Sequence, residues 1–207
     1  MPSSGASGRL EGPSGPVIVV TGTSGAGKGT LERILLEAFP ELELAVSATT
    51  RDRRHNEVDG RHYWFLSDEE FDRRLEEKGF LEYVTFPWGQ RSGTLRSEID
   101  RIRAAGRVPL LDLETDGALY VQKRVPGAVT IFVTAPTFEE LERRLRARAT
   151  ESAGEIGERL ALAREQLELA DEFDHVIVND DLARAAAQAQ GIVREQIAKR
   201  GQVPLKP

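Results

Sequence analysis

The stretch from Pro16 to Phe39 constrains the fold of this chain more than any other. A short β-branched run, Pro16-Val-Ile-Val-Val-Thr21, leads into a glycine-rich turn and then into a helical pattern from Lys28, with Leu31, Ile34, Leu35 and Ala38 on one face. Pro40 stops that helix. A buried strand, a glycine turn and a helix start in this order make a phosphate-binding loop. The glycines let backbone N–H groups converge on phosphate oxygens, and the helix N-terminus adds the positive end of its dipole. The loop residues Gly22, Thr23, Ser24, Gly25, Ala26, Gly27, Lys28, Gly29 and Thr30 are the candidate nucleotide-phosphate site, with Lys28 as a point charge for the outer phosphates. The strict pattern places Ser or Thr directly after the lysine; here Gly29 intervenes and Thr30 follows, which displaces the usual hydroxyl ligand for magnesium.

Downstream, helices and strands alternate. Helices are predicted over Asp68–Lys78 (Ser67 as N-cap, Glu70 at the capping-box position), Ser97–Ala105 (ended by Gly106), Gly117–Arg124, Thr137 to about Arg148, Ala153–Asp171 and Leu182–Ala198. Strands are predicted over Val108–Leu113, Val129–Val133 and Val176–Val178. This alternation predicts an α/β fold with a central parallel sheet and helices on both faces. Residues 47–93 break the rhythm and read as an inserted lobe. Residues 1–15 are rich in Gly, Ser and Pro and read as a flexible tail.

Composition excludes several chemistries. With no cysteine there are no disulfides, thiolate metal sites or cysteine nucleophiles, and three dispersed histidines argue against a histidine metal site. The 34 Asp and Glu against 28 Lys and Arg give a net charge of −6, which argues against a general nucleic-acid binder. No apolar stretch approaches the roughly 20 residues needed to span a bilayer, and no secretory signal is visible, so the cytoplasm is expected. In so acidic a chain, the clustered Arg51, Arg53 and Arg54 call for an anion, and arginine suits bidentate phosphate recognition.

Gly22 to Thr30, Val46-Ser-Ala-Thr-Thr-Arg51, Glu57-Val-Asp-Gly60 with Tyr63, Phe80-Leu-Glu82, Gly93-Thr94, Leu111-Asp112, Leu141 to Arg148 and Val176 to Asp181 follow one another in the order and spacing of one family. From about Pro16 to Ile197 the sequence resembles guanylate kinase, and nucleoside-monophosphate kinases often carry the Gly-Lys-Gly-Thr form of the loop. The resemblance implies a three-layer P-loop nucleotide kinase: a core over 16–46, 94–149 and 160–200, a GMP-binding lobe over 47–93, a helical lid over about 150–159, and a tail over 201–207. It implies that Ser47, Arg51, Arg54 and Tyr63 hold the GMP phosphate. Glu82 and Asp112 would read guanine, with Thr94 beside the base. Guanine presents N1–H and N2–H₂ donors where adenine has an acceptor at N1, so acceptor-only carboxylates favour guanine.

The resemblance also places Arg144, Arg148 and Arg159 around the transferring phosphoryl group and Asn179 near the adenine of ATP. Arg144 and Arg148, four apart, share a helix face. Phosphoryl transfer needs positioning and charge cancellation, which arginines on a closing lid supply. Magnesium would arrive with ATP, with Thr30 and Glu114 as its protein contacts. The implied activity is transfer of phosphate from ATP to GMP, and to dGMP, in purine nucleotide metabolism, by a monomer or homodimer. A non-catalytic binding module and a same-fold kinase for another phosphorylated acceptor are the competing readings; Lys28 and the lid arginines oppose the first, Glu82 and Asp112 the second.

The sequence departs from the family in three places. Ser92 stands where a tyrosine hydroxyl normally touches the GMP phosphate. A hydrogen bond to a charged group contributes about 1.5–3 kcal/mol, so GMP binding is expected to be weaker by about one to two decades unless Arg91 or a water replaces it. Asp52-Arg53-Arg54-His55-Asn56 replaces a proline-rich loop, and Glu114 and Asp116 stand at the family's second acidic position and following glutamine.

Overall fold

The computed structural model describes residues 15–86, 88–147 and 153–200. Both expected tails up to residue 14 and from 201, Arg148, and residues 150–152 of the expected lid lie outside the described residues. Among the described residues one sheet has the order β2-β7-β1-β8-β9, built from β1 (Val17–Gly22), β2 (Leu42–Leu44), β7 (Val108–Asp112), β8 (Ala128–Thr134) and β9 (His175–Val178). All its pairs are parallel, as predicted.

The alternation of β1 builds the layers. Ile18 and Val20 face α1 (Lys28–Ala38) and α7 (Leu182–Arg200), packing with Leu31, Leu35, Ala189 and Val193. Val17 and Val19 face the other way, onto Ile99 and Ile102 of α3 (Arg96–Ala104) and Ala118 and Val121 of α4 (Thr115–Arg124). Val17 to Val20 are at most 1 % exposed. Burying such a side chain contributes about 1.5–3 kcal/mol, so both layers are fastened to the strand that leads into the phosphate loop.

The inserted lobe is a second sheet, β4-β3-β6-β5, made of β3 (Ala48–Thr49), β4 (Trp64–Phe65), β5 (Phe80–Thr85) and β6 (Arg91–Leu95). β6 carries this sheet on to Leu95, past the expected break at 93. The lobe has its own small core, Ala48, Phe71, Phe80 and Leu95, with Phe71 supplied by α2 (Asp68–Glu76). Ser67 caps α2 by accepting from the Glu70 amide at 3.1 Å. Only half of the expected capping box forms, because the Glu70 carboxylate pairs with Arg73 and Arg74 instead.

α5 (Phe138–Ala147) is capped by Thr137, whose hydroxyl accepts from the Glu140 amide at 3.1 Å. The helix expected over Ala153–Asp171 ends earlier: α6 covers Ala153–Glu168, and a 3-10 turn follows at Ala170–Glu172. Among the described residues no helix is long and apolar enough to cross a membrane.

Candidate active site

The phosphate loop hangs between β1 and α1, and its shape depends on close approach. Gly22 has φ +134°, and a Cβ there would lie 2.0 Å from the Val133 carbonyl oxygen. Gly27, the residue before α1, has φ +94°, a left-handed conformation that disfavours side chains. Lys28 folds back over the loop and donates from Nζ to the Gly22 carbonyl at 2.8 Å.

Asn179, just past β9, braces the loop from outside. Its Nδ2 donates to the Ala26 carbonyl at 2.7 Å, and its own amide donates to Thr134 at 2.7 Å. The side chain expected near adenine thus holds the loop itself. Arg144 of α5 donates from Nη2 to the Asn179 carbonyl at 3.0 Å and from Nε to Glu140 at 2.8 Å. The Arg143 and Arg144 guanidiniums hold the Glu140 carboxyl down at about 2. Arg159 lies half-buried on α6.

Acidic groups gather beside Lys28. Asp112 ends β7, paired in register with Val20 of β1. It is solvent-accessible, yet its surroundings desolvate it enough to raise its carboxyl; the Lys28 ammonium works against that rise and the nearby Glu114 adds to it. Glu32, one helical turn after Lys28, is buried, and its Oε1 has no hydrogen-bond partner. Burial first and the Asp112 charge second push the Glu32 carboxyl up to about 7, against the pull of Lys28. Glu32 was not among the residues singled out from sequence. Its signal was a carboxylate set beside Leu31 and Leu35 on an otherwise apolar face.

In the lobe, Arg51 is gripped by Glu57 through two bonds, from Nη2 at 2.7 Å and Nη1 at 3.0 Å. Its guanidinium lies 5.3 Å from the Tyr63 ring centroid and 5.7 Å from that of Phe65. Glu57 also accepts from the Arg54 amide at 2.8 Å, and these bonds hold its carboxyl down at about 2. One carboxylate therefore holds the guanidinium of Arg51 and the backbone of Arg54. Tyr63 sets its ring beside the Arg51 guanidinium, and the Ser47 carbonyl, just before β3, accepts from the Trp64 amide of β4 at 2.9 Å.

Arg91 does not stand in for the missing tyrosine. Its guanidinium lies 4.5 Å from the centroid of the Phe71 ring and pairs with Asp68 and Asp72 of α2. Ser92 uses its hydroxyl within the sheet, donating to the Ala48 carbonyl at 3.1 Å.

Glu82 is the most enclosed of the acids singled out from sequence, 7 % exposed, as buried as Glu32. Its Oε1 accepts from the Thr94 hydroxyl at 2.8 Å and the Thr94 amide at 2.9 Å. Its Oε2 lies against the first turn of α4, where a Cβ on Gly117 would come within 2.9 Å. Desolvation pushes its carboxyl up to about 7 despite the two Thr94 bonds. Thr94 is thus committed to Glu82, and Asp112 keeps company with Lys28, Glu32 and Glu114 rather than with this pair. Glu114, the residue before α4, accepts from Gln166 of α6 at 3.3 Å.

Magnesium in nucleotide kinases keeps several waters and takes only one or two carboxylates besides the phosphates. Among the described residues no group of three or more acidic or histidine side chains could hold a metal alone. The exposed Thr30, the Asp112 carboxyl and the orphaned Glu32 oxygen fit that sparse set: oxygen donors beside the loop, suited to an ion carried in by a nucleotide.

Comparison with known proteins identifies the family. The family model described as Guanylate kinase matches residues 14–196. A guanylate kinase of Rubrobacter xylanophilus is 46 % identical over 184 residues, covering 89 % of this chain and 96 % of its own. One of Prochlorococcus marinus is 44 % identical over 179 residues, covering 86 % and 94 %. The crystal structure of guanylate kinase from Anaplasma phagocytophilum superposes with a TM-score of 0.69 at 29 % identity, covering 88 % of this chain and 87 % of that one. The phosphate loop braced by Asn179, the Arg51 guanidinium held by Glu57 and the buried Glu82 sit on a chain that belongs to the guanylate kinase family.

Proposed function

We propose that the loop after β1 binds ATP, that the inserted lobe binds GMP, and that the γ-phosphoryl group passes directly between them, giving ADP and GDP. The chain phosphorylates GMP with ATP, the activity of the family it belongs to. The observation that carries the assignment of the acceptor site is Glu82. Ionised, it is an acceptor-only group in a tight pocket, suited to guanine N–H donors and opposed to the acceptor at adenine N1. A mismatched base would leave a buried carboxylate unpaired, which discriminates by orders of magnitude.

In this reading Arg51 and Arg54, with Ser47 and Tyr63, hold the acceptor phosphate. Lys28, Arg144, Arg148 and Arg159 cancel charge on the transferring group, and no covalent enzyme intermediate is needed. Magnesium, when bound with ATP, would neutralise charge on the outer phosphates; Thr30 and Glu114 are the contacts the family resemblance implies, and Asp112, assigned by it to guanine, lies beside Lys28 where it would also be within the metal's surroundings. The deoxy acceptor dGMP serves as well, because the reading rests on base and phosphate. The reaction belongs to purine nucleotide metabolism in the cytoplasm, carried out by a monomer or homodimer without nucleic acid or membrane.

A coupled ADP-release assay with ATP, magnesium and a panel of GMP, dGMP, AMP, CMP and UMP tests this. Turnover confined to the two guanine nucleotides is expected. Turnover with another acceptor, or with none despite ATP binding, would overturn it.

A further inference from the structure

We infer that Gln166 is a positioning residue that ties the helix carrying Arg159 to the acceptor-base site through Glu114. The inference rests on the assignment of Glu82 to the acceptor base.

α6 is mostly exposed between residues 156 and 168, but Ala163 and Gln166 are buried, and with Arg159 they fall at helical spacing on one face. Gln166 is 3 % exposed, far below what a glutamine on a surface helix shows by default. Its Nε2 donates to Glu114 Oε2 at 3.3 Å, a long bond across 52 residues of sequence. Its Oε1 is buried with no partner. An amide buried this far with an unused acceptor is poised for a donor and held by one weak bond.

What Gln166 grips matters. Glu114 makes no side-chain capping bond to α4, so its carboxylate is free to respond to Gln166. The turn it opens runs to Gly117, which lies against Glu82 Oε2. Arg159 and Gln166 thus share one face of α6, Gln166 bonds to Glu114, and the first turn of α4 that Glu114 opens lies against Glu82. When guanine draws on Glu82, the adjoining turn tightens, and Gln166 passes that ordering to the helix bearing Arg159. The acceptor would then prepare the lid side for transfer before ATP arrives.

The test uses the full chain with Gln166→Leu, which keeps the packing volume, Glu114→Ala, and the double variant. KM for GMP and for ATP, kcat, Tm, and hydrogen exchange of α6 with and without GMP are measured. Gln166→Leu is expected to raise the GMP KM about three- to tenfold and leave the ATP KM within about twofold. The double variant should be no worse than Glu114→Ala alone. GMP without ATP should slow exchange over residues 159–168 in the unaltered chain and fail to do so in Gln166→Leu. If both KM values move together with a fall in Tm, if the two substitutions multiply, or if GMP protects α6 equally in the variant, Gln166 is only a packing residue and the inference fails. Absence of GMP turnover in the unaltered chain would instead overturn the assignment beneath it.

Discussion

Arg144 and Asn179 hold each other in place over the phosphate loop. The arginine donates to the asparagine carbonyl at 3.0 Å while the asparagine side chain holds the Ala26 carbonyl at 2.7 Å. The arginine proposed to cancel charge on the transferring group and the loop beside it are thus fixed by one residue, which fits a reaction that depends on preorganised charge.

Replacing Asn179 with Ala removes a buried hydrogen bond and orphans the Ala26 carbonyl, a loss of about 1–3 kcal/mol. Steady-state kinetics of this variant should show the ATP KM raised about tenfold and the GMP KM nearly unchanged. An equal rise in both would mean that Asn179 supports the fold at large rather than the loop.

Glu57 carries the opposite signature. Its carboxylate positions Arg51 by two bonds and the Arg54 backbone by a third. Glu57→Ala should release both arginines and raise the GMP KM about tenfold, the effect of losing one to two charge-assisted hydrogen bonds, with ATP KM unmoved. A GMP KM that fell instead would show that Glu57 competes with the phosphate for Arg51.

The pH profile reports Glu82. Its carboxyl stands at about 7 in the folded protein against an ordinary 4.5. Guanine needs the ionised form, so GMP KM should climb as pH falls through about 7, and Glu82→Gln should flatten that limb. Stability follows the opposite direction. The folded state binds this proton more tightly than the unfolded state, so the group's stabilising contribution is complete below pH 4.5 and is lost as pH rises through about 7. Glu82→Gln should therefore raise Tm more at pH 8 than at pH 5; thermal melts at the two values check the sign.

Arg91 is bound to α2 and the Ser92 hydroxyl to the Ala48 carbonyl, so neither is turned to the role of the family's tyrosine. Ser92→Tyr should lower the GMP KM about tenfold, because a hydroxyl near a phosphate contributes about 1.5–3 kcal/mol, less the lost bond to Ala48. An unchanged KM would mean that another group already reaches the phosphate.

The sequence made the loop legible because β1, the glycines and α1 each speak locally: β-branched residues, left-handed turns and helical spacing all act within a few positions. The helix caps at Ser67 and Thr137 were legible for the same reason. The lobe was not. β3 and β4 are two residues each, too short for any period to register, and β3 is placed by pairing with β6 some forty residues away. The partner of Arg51 lay within a motif already noticed, but a sequence pattern does not say which carboxylate closes on which guanidinium. Glu32 and Gln166 were hidden more deeply. Both are polar residues buried by long-range packing, and Gln166 meets Glu114 only because α6 crosses the start of α4.

β5 has one consequence for how such a molecule can move. Phe80 points into the lobe's own core, while its neighbour Leu81 points into the main one. Glu82 comes next. A strand rooted in both cores would serve as the axle of any rotation between them, and points near an axle travel least. Rotation of the lobe about β5 would leave the base-reading carboxylate almost stationary and sweep Arg51 through the longer arc. The acceptor base would then be registered against a fixed reference, and its phosphate gripped by the part that swings.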